Sequence, residues 1–351
     1  MIRAAIIGAS GYSGEELVRL LLRHPGITLV AVTSRQKAGS SLAQVFPRFA
    51  GYPVARKLAF IAPDTARVLA ALGPKKDRAI AFLALPHGVA AEWATPLVKA
   101  GVRVIDLSAD FRLRSAVVYK EFYGHDHPAP SLLKKAVYGL PETRASEVRR
   151  ARLVASPGCY PTSILLPLIP LMKAGLLKPD GLVVNSFSGV SGAGRKAEEA
   201  FLFCECNESV RAYGVPKHRH LSEIEQELSL AARRRVVLQF IPHLVPVNRG
   251  ILSSISALPA KPVAKIASLI EAAWARAYAR CPFVRRLGAS ALPDTKNVVG
   301  TNFIEIACRA DPRTGRVLLI SAEDNLTKGA AGQAVQSMNL MFGLPETEGL
   351  L

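Results

Sequence analysis

The chain has 351 residues, half of them hydrophobic and 21% charged, which is enough apolar material for a large core and excludes a disordered chain. Its 45 Lys and Arg against 27 Asp and Glu leave a net charge of +18, and its five cysteines are an odd, sparse set that suits a reducing compartment. The longest apolar run, residues 164–172, is far below the roughly 18 residues of a membrane span, so no membrane-spanning candidate exists.

At roughly 100–200 residues per domain the length suggests two domains. The charge admits nucleic acid, an acidic protein or small anions as partners. The basic residues are scattered, densest at Arg149-Arg150-Ala151-Arg152 and Arg233-Arg234-Arg235, and no zinc-finger, coiled-coil or helix-turn-helix pattern accompanies them. A solvated basic face that steers small anions is therefore expected, without nucleic acid. Residues 1–8 start like a signal peptide, but glycines and Glu15-Glu16 break the apolar run, so a first strand and a cytoplasmic location are expected.

Residues 3–7 predict a strand, followed by Gly8-Ala9-Ser10-Gly11-Tyr12-Ser13-Gly14 and an amphipathic helix. A strand, a tight glycine turn and a helix start place backbone amides where a dinucleotide pyrophosphate sits, although the spacing is GxxGxxG rather than GxGxxG. The next strand, 27–33, ends in Ser34-Arg35 and then Lys37, where an NAD site carries an acid. A hydroxyl and a cation fit a 2′-phosphate, and the expected cofactor is NADP(H).

Alternating elements at 79–85, 89–99 and 102–107 continue a doubly wound α/β pattern. Two stretches fall at strand ends, where open sheets put ligands: Leu85-Pro86-His87-Gly88, with His87 packing or capping, and residues 106–112, with Arg112 as an anion clamp. Residues 119–145, rich in Tyr, His, Pro and Gly, read as a structural loop; His125 and His127 lack the further ligands of a metal site, and no metal is expected.

Strands at 182–187, 236–241, 251–258, 302–308 and 317–321, with one helix at 261–280, predict a second, α+β domain with a mostly antiparallel or mixed sheet. Residues 324–339 read as one small-residue helix that packs back on the first domain. The expected division is 1–155, 156–322 and 323–351.

Ser156-Pro157-Gly158-Cys159-Tyr160-Pro161 offers a cysteine between a short strand at 153–155 and a helix, with Cys159 just outside the helix and Pro161 in its first turn. The helix N-terminus favours a thiolate nucleophile; a small buried hydrophobe is the alternative. Ser188-Gly189-Val190-Ser191-Gly192-Ala193-Gly194-Arg195 follows a strand and reads either as a mobile loop or as a wrap of backbone donors around a nicotinamide or acyl phosphate, with Arg195 balancing charge. Lys217-His218-Arg219-His220 enters a helix near Ser222. His220 fits an acid/base that deprotonates Cys159 and later protonates a hemithioacetal oxygen, and Glu223 fits a residue that orients it or binds substrate. Together these describe acyl transfer from a phosphate to a thiolate, coupled to hydride reduction.

Over nearly its full length the chain resembles the N-acetyl-gamma-glutamyl-phosphate reductase family, through residues 8–14, Ser34-Arg35, 85–88, 106–112, 157–162, 188–195, His218-Arg219-His220, 242–246 with Arg249-Gly250, Gly300-Thr301-Asn302 and 324–332. The resemblance implies NADPH-dependent reduction of N-acetyl-L-glutamyl 5-phosphate in arginine biosynthesis, with Cys159 as nucleophile and His220 as acid/base. It further implies a Rossmann-type NADP-binding domain, an α+β catalytic and dimerisation domain of the aspartate-semialdehyde dehydrogenase type, and a homodimer or homotetramer. On this reading Arg112, Ser188, Arg195, His218, Glu223 and Arg249 contact substrate. Gly8, Ser10, Gly11, Tyr12, Ser13, Gly14, Ser34, Arg35, Pro86, Gly189, Ser191, Gly192 and Asn325 contact the cofactor. Ser156 stands where Asn is expected and Asn248 where a small or hydroxylic residue is expected, which touches fine tuning only.

Two alternatives remain. One is the related reductase of lysine biosynthesis, whose substrate hangs from an acidic carrier protein; that branch tends to lose Pro157 and Tyr160-Pro161, which this chain keeps. The other is a basic nucleic-acid-binding protein on a reductase scaffold.

Overall fold

The computed structural model describes residues 1–195 and 197–351. It contains two compact units, Met1–Pro157 with Ala330–Leu351, and Gly158–Gly329.

The first unit is built on seven strands: β1 Ile2–Ile7, β2 Ile27–Thr33, β3 Phe60–Ile61, β4 Ala79–Leu83, β5 Arg103–Asp106, β6 Val137–Tyr138 and β7 Leu153–Ala155. Their order is β3-β2-β1-β4-β5-β7-β6, and every pairing is parallel. All five residues of β4 are buried, as expected of a central parallel strand covered on both faces. The order reverses between β1 and β4, the position where doubly wound sheets open a ligand crevice. There Gly8 turns the chain with φ +85°, and a Cβ on it would lie 2.3 Å from the carbonyl oxygen of Ala84. No other residue satisfies both constraints. The helix Gly332–Phe342 belongs to this unit and is buried from Gly332 to Met341, packed against the helices Pro141–Arg150 and Tyr12–Arg23.

The second unit carries β8 Leu182–Gly189, β9 Arg211–Ala212, β10 Leu238–Val245, β11 Ile251–Ala257, β12 Val284–Arg286, β13 Ile304–Asp311 and β14 Arg316–Glu323, in the order β12-β13-β14-β11-β8-β10-β9. Pairings β8/β10 and β12/β13 are parallel and the others antiparallel, a mixed sheet. In β8, β10 and β11 burial alternates residue by residue, so one face is covered and the other is open.

The covered face meets the helix Cys159–Lys173, whose residues 160–172 are all buried although Pro167 and Pro170 lie inside it. An interior proline removes the N–H that would serve the carbonyl four residues back. The carbonyls deprived in this way are those of Ser163 and Leu166. Ser321 Oγ donates to the first at 2.7 Å, and the Tyr278 hydroxyl donates to the second. Two distant side chains thus replace the missing donors, and the helix continues through both prolines.

Several expectations need correction. The Cys159 helix begins at Cys159 itself, with Gly158 as N-cap, so the cysteine is the first helical residue and not just outside. The stretch 119–145 is about half helical, crossed by Ala116–Tyr123, Pro130–Leu133 and Pro141–Arg150, with β6 between the last two. The strand expected at 236–241 runs instead through Pro242 to Val245, where pairing with β8 on one side holds it extended. The single helix expected at 324–339 is a π-helical turn, Thr327–Ala331, followed by Gly332–Phe342, and the compact units part at this turn.

Candidate active site

Cys159 is half-buried at the start of its helix, facing a cavity of about 380 Å³ whose lining includes Ser188, Arg211, Tyr213, His218 and His220. The N-cap Gly158 gives no side-chain cap; its carbonyl accepts from the amide and hydroxyl of Thr162, both at 3.1 Å, while its own N–H donates to Glu223 Oε2 at 3.2 Å. A Cβ on Gly158 would lie 2.7 Å from His220 Nε2 and 2.9 Å from Glu223 Oε1. The missing side chain is what lets both groups reach the helix end that carries the cysteine. From the opposite direction Gly329 packs on the cysteine, since a Cβ there would lie 2.7 Å from Cys159 Cβ and 3.0 Å from Glu323 Oε1.

The two histidines differ in their duties. The N–H of His220, first residue of the helix His220–Ala232, donates to His218 Nδ1 at 3.1 Å. His218 therefore keeps a lone pair on Nδ1 and carries its proton on Nε2 when neutral. Burial, helped by Arg219, lowers its pKa to about 4. It sits edge-on to Tyr160, Tyr213, His220 and Phe240, a packed and neutral ring. His220 is the histidine aimed at Gly158, and Glu223 braces the same helix end.

Tyr213 donates its hydroxyl to Tyr160 Oη at 2.9 Å, and Tyr160 donates to the carbonyl of His243 at 3.4 Å. Burial raises both phenol pKa values far above the usual range, so both remain donors. Arg211 and Tyr213 line the cavity although no sequence motif singles them out, and Arg219, which lies within the His218-Arg219-His220 motif without an assigned role, lines it too. The available signal was the alternation of Arg211 and Tyr213 on the short extended run before His218.

Ser188, Gly189, Ser191, Gly192 and Asn325 come together. Gly189 N–H donates to the Gly250 carbonyl at 2.9 Å; Asn325 accepts from Gly250 N–H at 2.9 Å and donates to Ser191 Oγ at 2.9 Å. A Cβ on Gly192 would touch Ser188 Oγ at 3.2 Å. The loop is thereby tied down rather than mobile at these residues. Arg195 is exposed. Arg249 directs its guanidinium to fully buried Asp324, at 3.0 Å from Nη2, and to Thr327 Oγ1 at 2.9 Å. Those contacts make it a brace of the turn before residue 328.

In the first unit, the helix Tyr12–Arg23 starts at N-cap Gly11 without a side-chain cap, and Ser13 and Gly14 lie in its first turn. A Cβ on Gly11 would meet nothing nearer than 3.7 Å, so this helix end is open to an anion. Ser10 Oγ lies 3.0 Å from Ser34 Oγ, linking the glycine turn to the end of β2, and Arg35 is exposed beside it. An uncapped helix end, a hydroxyl pair and a cation fit the phosphates and ribose of a nicotinamide dinucleotide. Pro86 is exposed on the loop after β4, and His87 acts as a cap, accepting from Ala109 N–H at 3.1 Å. Arg112 is buried and donates to the backbone carbonyls of Ser156 at 2.8 Å and Leu107 at 2.9 Å, bracing the strand end that leads to Cys159. Among the described residues no cluster of three or more His, Cys, Asp or Glu is arranged to hold a metal, and no helix is long and apolar enough to cross a membrane.

A doubly wound unit with an open glycine turn, joined in sequence to a mixed-sheet unit that begins with a cysteine at a helix start, is the arrangement of semialdehyde dehydrogenases. Residues 3–151 match the semialdehyde dehydrogenase NAD binding domain, and residues 159–325 match the semialdehyde dehydrogenase dimerisation domain. The fold is similar to aspartate semialdehyde dehydrogenase II of Vibrio cholerae, with TM-score 0.70, 17% identity and 98% of each chain covered. It is also similar to aspartate semialdehyde dehydrogenase with NADP from Candida albicans, with TM-score 0.69, 15% identity and 97% and 99% covered. The sequence is 59% identical to the N-acetyl-gamma-glutamyl-phosphate reductase of Akkermansia muciniphila, over 99% of this chain and 98% of the relative. It is 48% identical to that of Moorella thermoacetica, over 100% and 98%. The chain belongs to the N-acetyl-gamma-glutamyl-phosphate reductase family.

Proposed function

We propose that the chain reduces N-acetyl-L-glutamyl 5-phosphate to N-acetyl-L-glutamate 5-semialdehyde and phosphate, using NADPH and a thioester on Cys159, in the arginine pathway of the cytoplasm. The observation that carries the mechanism is the approach of His220 Nε2 and Glu223 to Gly158, at the helix end that bears Cys159.

His220 takes the thiol proton; the sulfur forms a bond to the acyl carbon, the acyl carbon–oxygen bond to phosphate breaks, and phosphate leaves with the electron pair. The glycine turn and Arg35 would hold NADPH, which would supply the hydride for reduction of the thioester carbonyl. Protonated His220 gives its proton to the resulting oxyanion, and as that proton is lost again the carbon–sulfur bond breaks and the aldehyde departs. The helix N-terminus stabilises thiolate and oxyanion alike. Arg211 and Arg219, which line the cavity, balance the negative charges of the substrate. The open face of the second sheet, with Val183, Phe187, Ile241, Leu252 and Leu318, supports assembly as a homodimer or homotetramer.

The test is phosphate-dependent reduction of NADP⁺ by N-acetyl-L-glutamate 5-semialdehyde. Cys159→Ala is expected to abolish it, and His220→Ala to lower kcat by about 100- to 10,000-fold. Full activity of Cys159→Ala would overturn the mechanism, and activity confined to a carrier-linked substrate would move the chain to lysine biosynthesis.

A further inference from the structure

Ser186 in β8, Ser253 in β11 and Ser321 in β14 are direct cross-strand partners, in register across three neighbouring strands, and all are fully buried beneath the Cys159 helix. Core positions under a helix ordinarily hold Val, Ile or Leu, because a buried hydroxyl costs free energy unless it finds a partner. Each of these finds one. Ser186 Oγ lies 2.7 Å from Ser253 Oγ, and Ser253 Oγ lies 2.8 Å from the Oγ of Ser163, in the second turn of the helix. Ser163 Oγ in turn lies 2.9 Å from the carbonyl oxygen of Tyr160, while Ser321 donates to the carbonyl of Ser163 itself.

The proton directions follow from the last acceptor. A carbonyl only accepts, so Ser163 gives its single hydroxyl proton to Tyr160. Ser253 must then donate to Ser163, and Ser186 to Ser253. The chain runs one way, from Ser186 through Ser253 and Ser163 to the carbonyl of the residue next to Cys159, and each bond polarises the next. Ser321 adds a second attachment at the carbonyl that Pro167 leaves without a helical donor.

We propose that Ser163, Ser186, Ser253 and Ser321 are positioning residues for Cys159: a polar rung of the sheet that fixes the axial position and rotation of the helix's first turn, and with it the sulfur. An apolar contact tolerates sliding of a helix over a sheet; a directed chain of hydroxyls ending on two named carbonyls does not. The proposal rests on Cys159 being the nucleophile.

The experiment compares the parent, Ser253→Ala, Ser186→Ala and Cys159→Ala in the full-length protein. It reads steady-state kinetics, melting temperature and the rate of Cys159 alkylation by iodoacetamide across pH, followed by peptide mass spectrometry. Ser253→Ala, which breaks two links, is expected to lower kcat by about three- to tenfold with KM for the acyl substrate little changed, and to slow Cys159 alkylation by a similar factor. Ser186→Ala removes only the terminal donor and should fall between it and the parent. A drop in melting temperature with kinetics and alkylation unchanged would reduce the rung to packing and overturn the proposal. Full activity of Cys159→Ala overturns the nucleophile reading instead, a result separable because the alkylation comparison does not depend on turnover. If Ser253→Ala does not fold, Ser186→Ala decides on the same readouts.

Discussion

Replacing Tyr278 by Phe removes one oxygen from a buried site, and the structure states what that oxygen does: it donates to the carbonyl of Leu166, whose helical donor is missing because residue 170 is proline. An unsatisfied buried carbonyl costs about 1–3 kcal/mol, and the ring of Phe fills the same space, so Tyr278→Phe should destabilise by about 2 kcal/mol. In a unit of this size that corresponds to a melting temperature lower by roughly 4–8 °C. The reasoning is tested by a double-mutant cycle with Pro170→Ala, which restores an N–H four residues beyond Leu166. In that background Tyr278→Phe should cost less than about 0.5–1 kcal/mol, a coupling of about 1–2 kcal/mol. The chain has two tryptophans, and Trp274 bonds through Nε1 to the carbonyl of Pro167 at 3.0 Å in the same helix. Urea unfolding followed by Trp274 fluorescence in a Trp93→Phe background therefore reports this region. Equal losses from Tyr278→Phe in the two proline backgrounds would refute the argument.

Acid should act on two buried groups in opposite senses. The pKa of His218 is lowered to about 4, so the unfolded chain takes up a proton that the folded one refuses, and its contribution to stability is lost as pH falls from about 6.5 toward 4. That of Asp106 is raised to about 7 by burial and by Asp110, so its contribution is fully present below about pH 4 and is lost as pH rises through about 7. Each is worth about 2 kcal/mol between pH 7 and 5. Asp106→Asn should therefore make the protein lose stability on acidification more steeply than the parent; identical pH profiles of the melting temperature would sink this. At the cofactor turn, Arg35→Ala should weaken NADPH binding by about ten- to a hundredfold, read by fluorescence titration, and leave NADH nearly unchanged. Equal losses for both nucleotides would remove Arg35 from the 2′-phosphate.

Much of the fold is legible in short-range pattern. The apolar strand before Gly8, the helix after it and the alternation of strands and helices to residue 107 correspond to the first unit, and the strand-rich stretch beyond 182 to the second. Two-residue strands such as β3, β6 and β9 carry no periodicity and become strands only by pairing with a neighbour. Pro161 in a first turn is compatible with a helix starting at any of the three preceding residues, and it is the N-cap Gly158 that sets the start of the helix at Cys159. Its passage through Pro167 and Pro170 depends on Ser321 and Tyr278, more than 100 residues away, which no local window contains. The same distance hides the site's supports. Asp324 makes Arg249 a brace, the Ser156 carbonyl does the same for Arg112, and Arg211 joins the cavity only once β9 pairs with β10. What the sequence displayed directly was chemistry held close along the chain: Cys159 at its helix, and His218 and His220 at theirs.

The second unit begins at Gly158 and ends at Gly329, and Gly329 packs directly against Cys159. Its two ends thus meet at one spot. A module with coincident ends can be spliced into a surface turn of a host domain, or closed into a loop and reopened elsewhere, without stretching either partner. In this module the seam also carries Cys159, the thiol of the proposed thioester, so a graft that shifts the junction shifts that sulfur with it. The glycines on both sides of the seam, 158 and 329, leave no room for a side chain there: a Cβ on either would lie 2.7 Å from a neighbouring side chain.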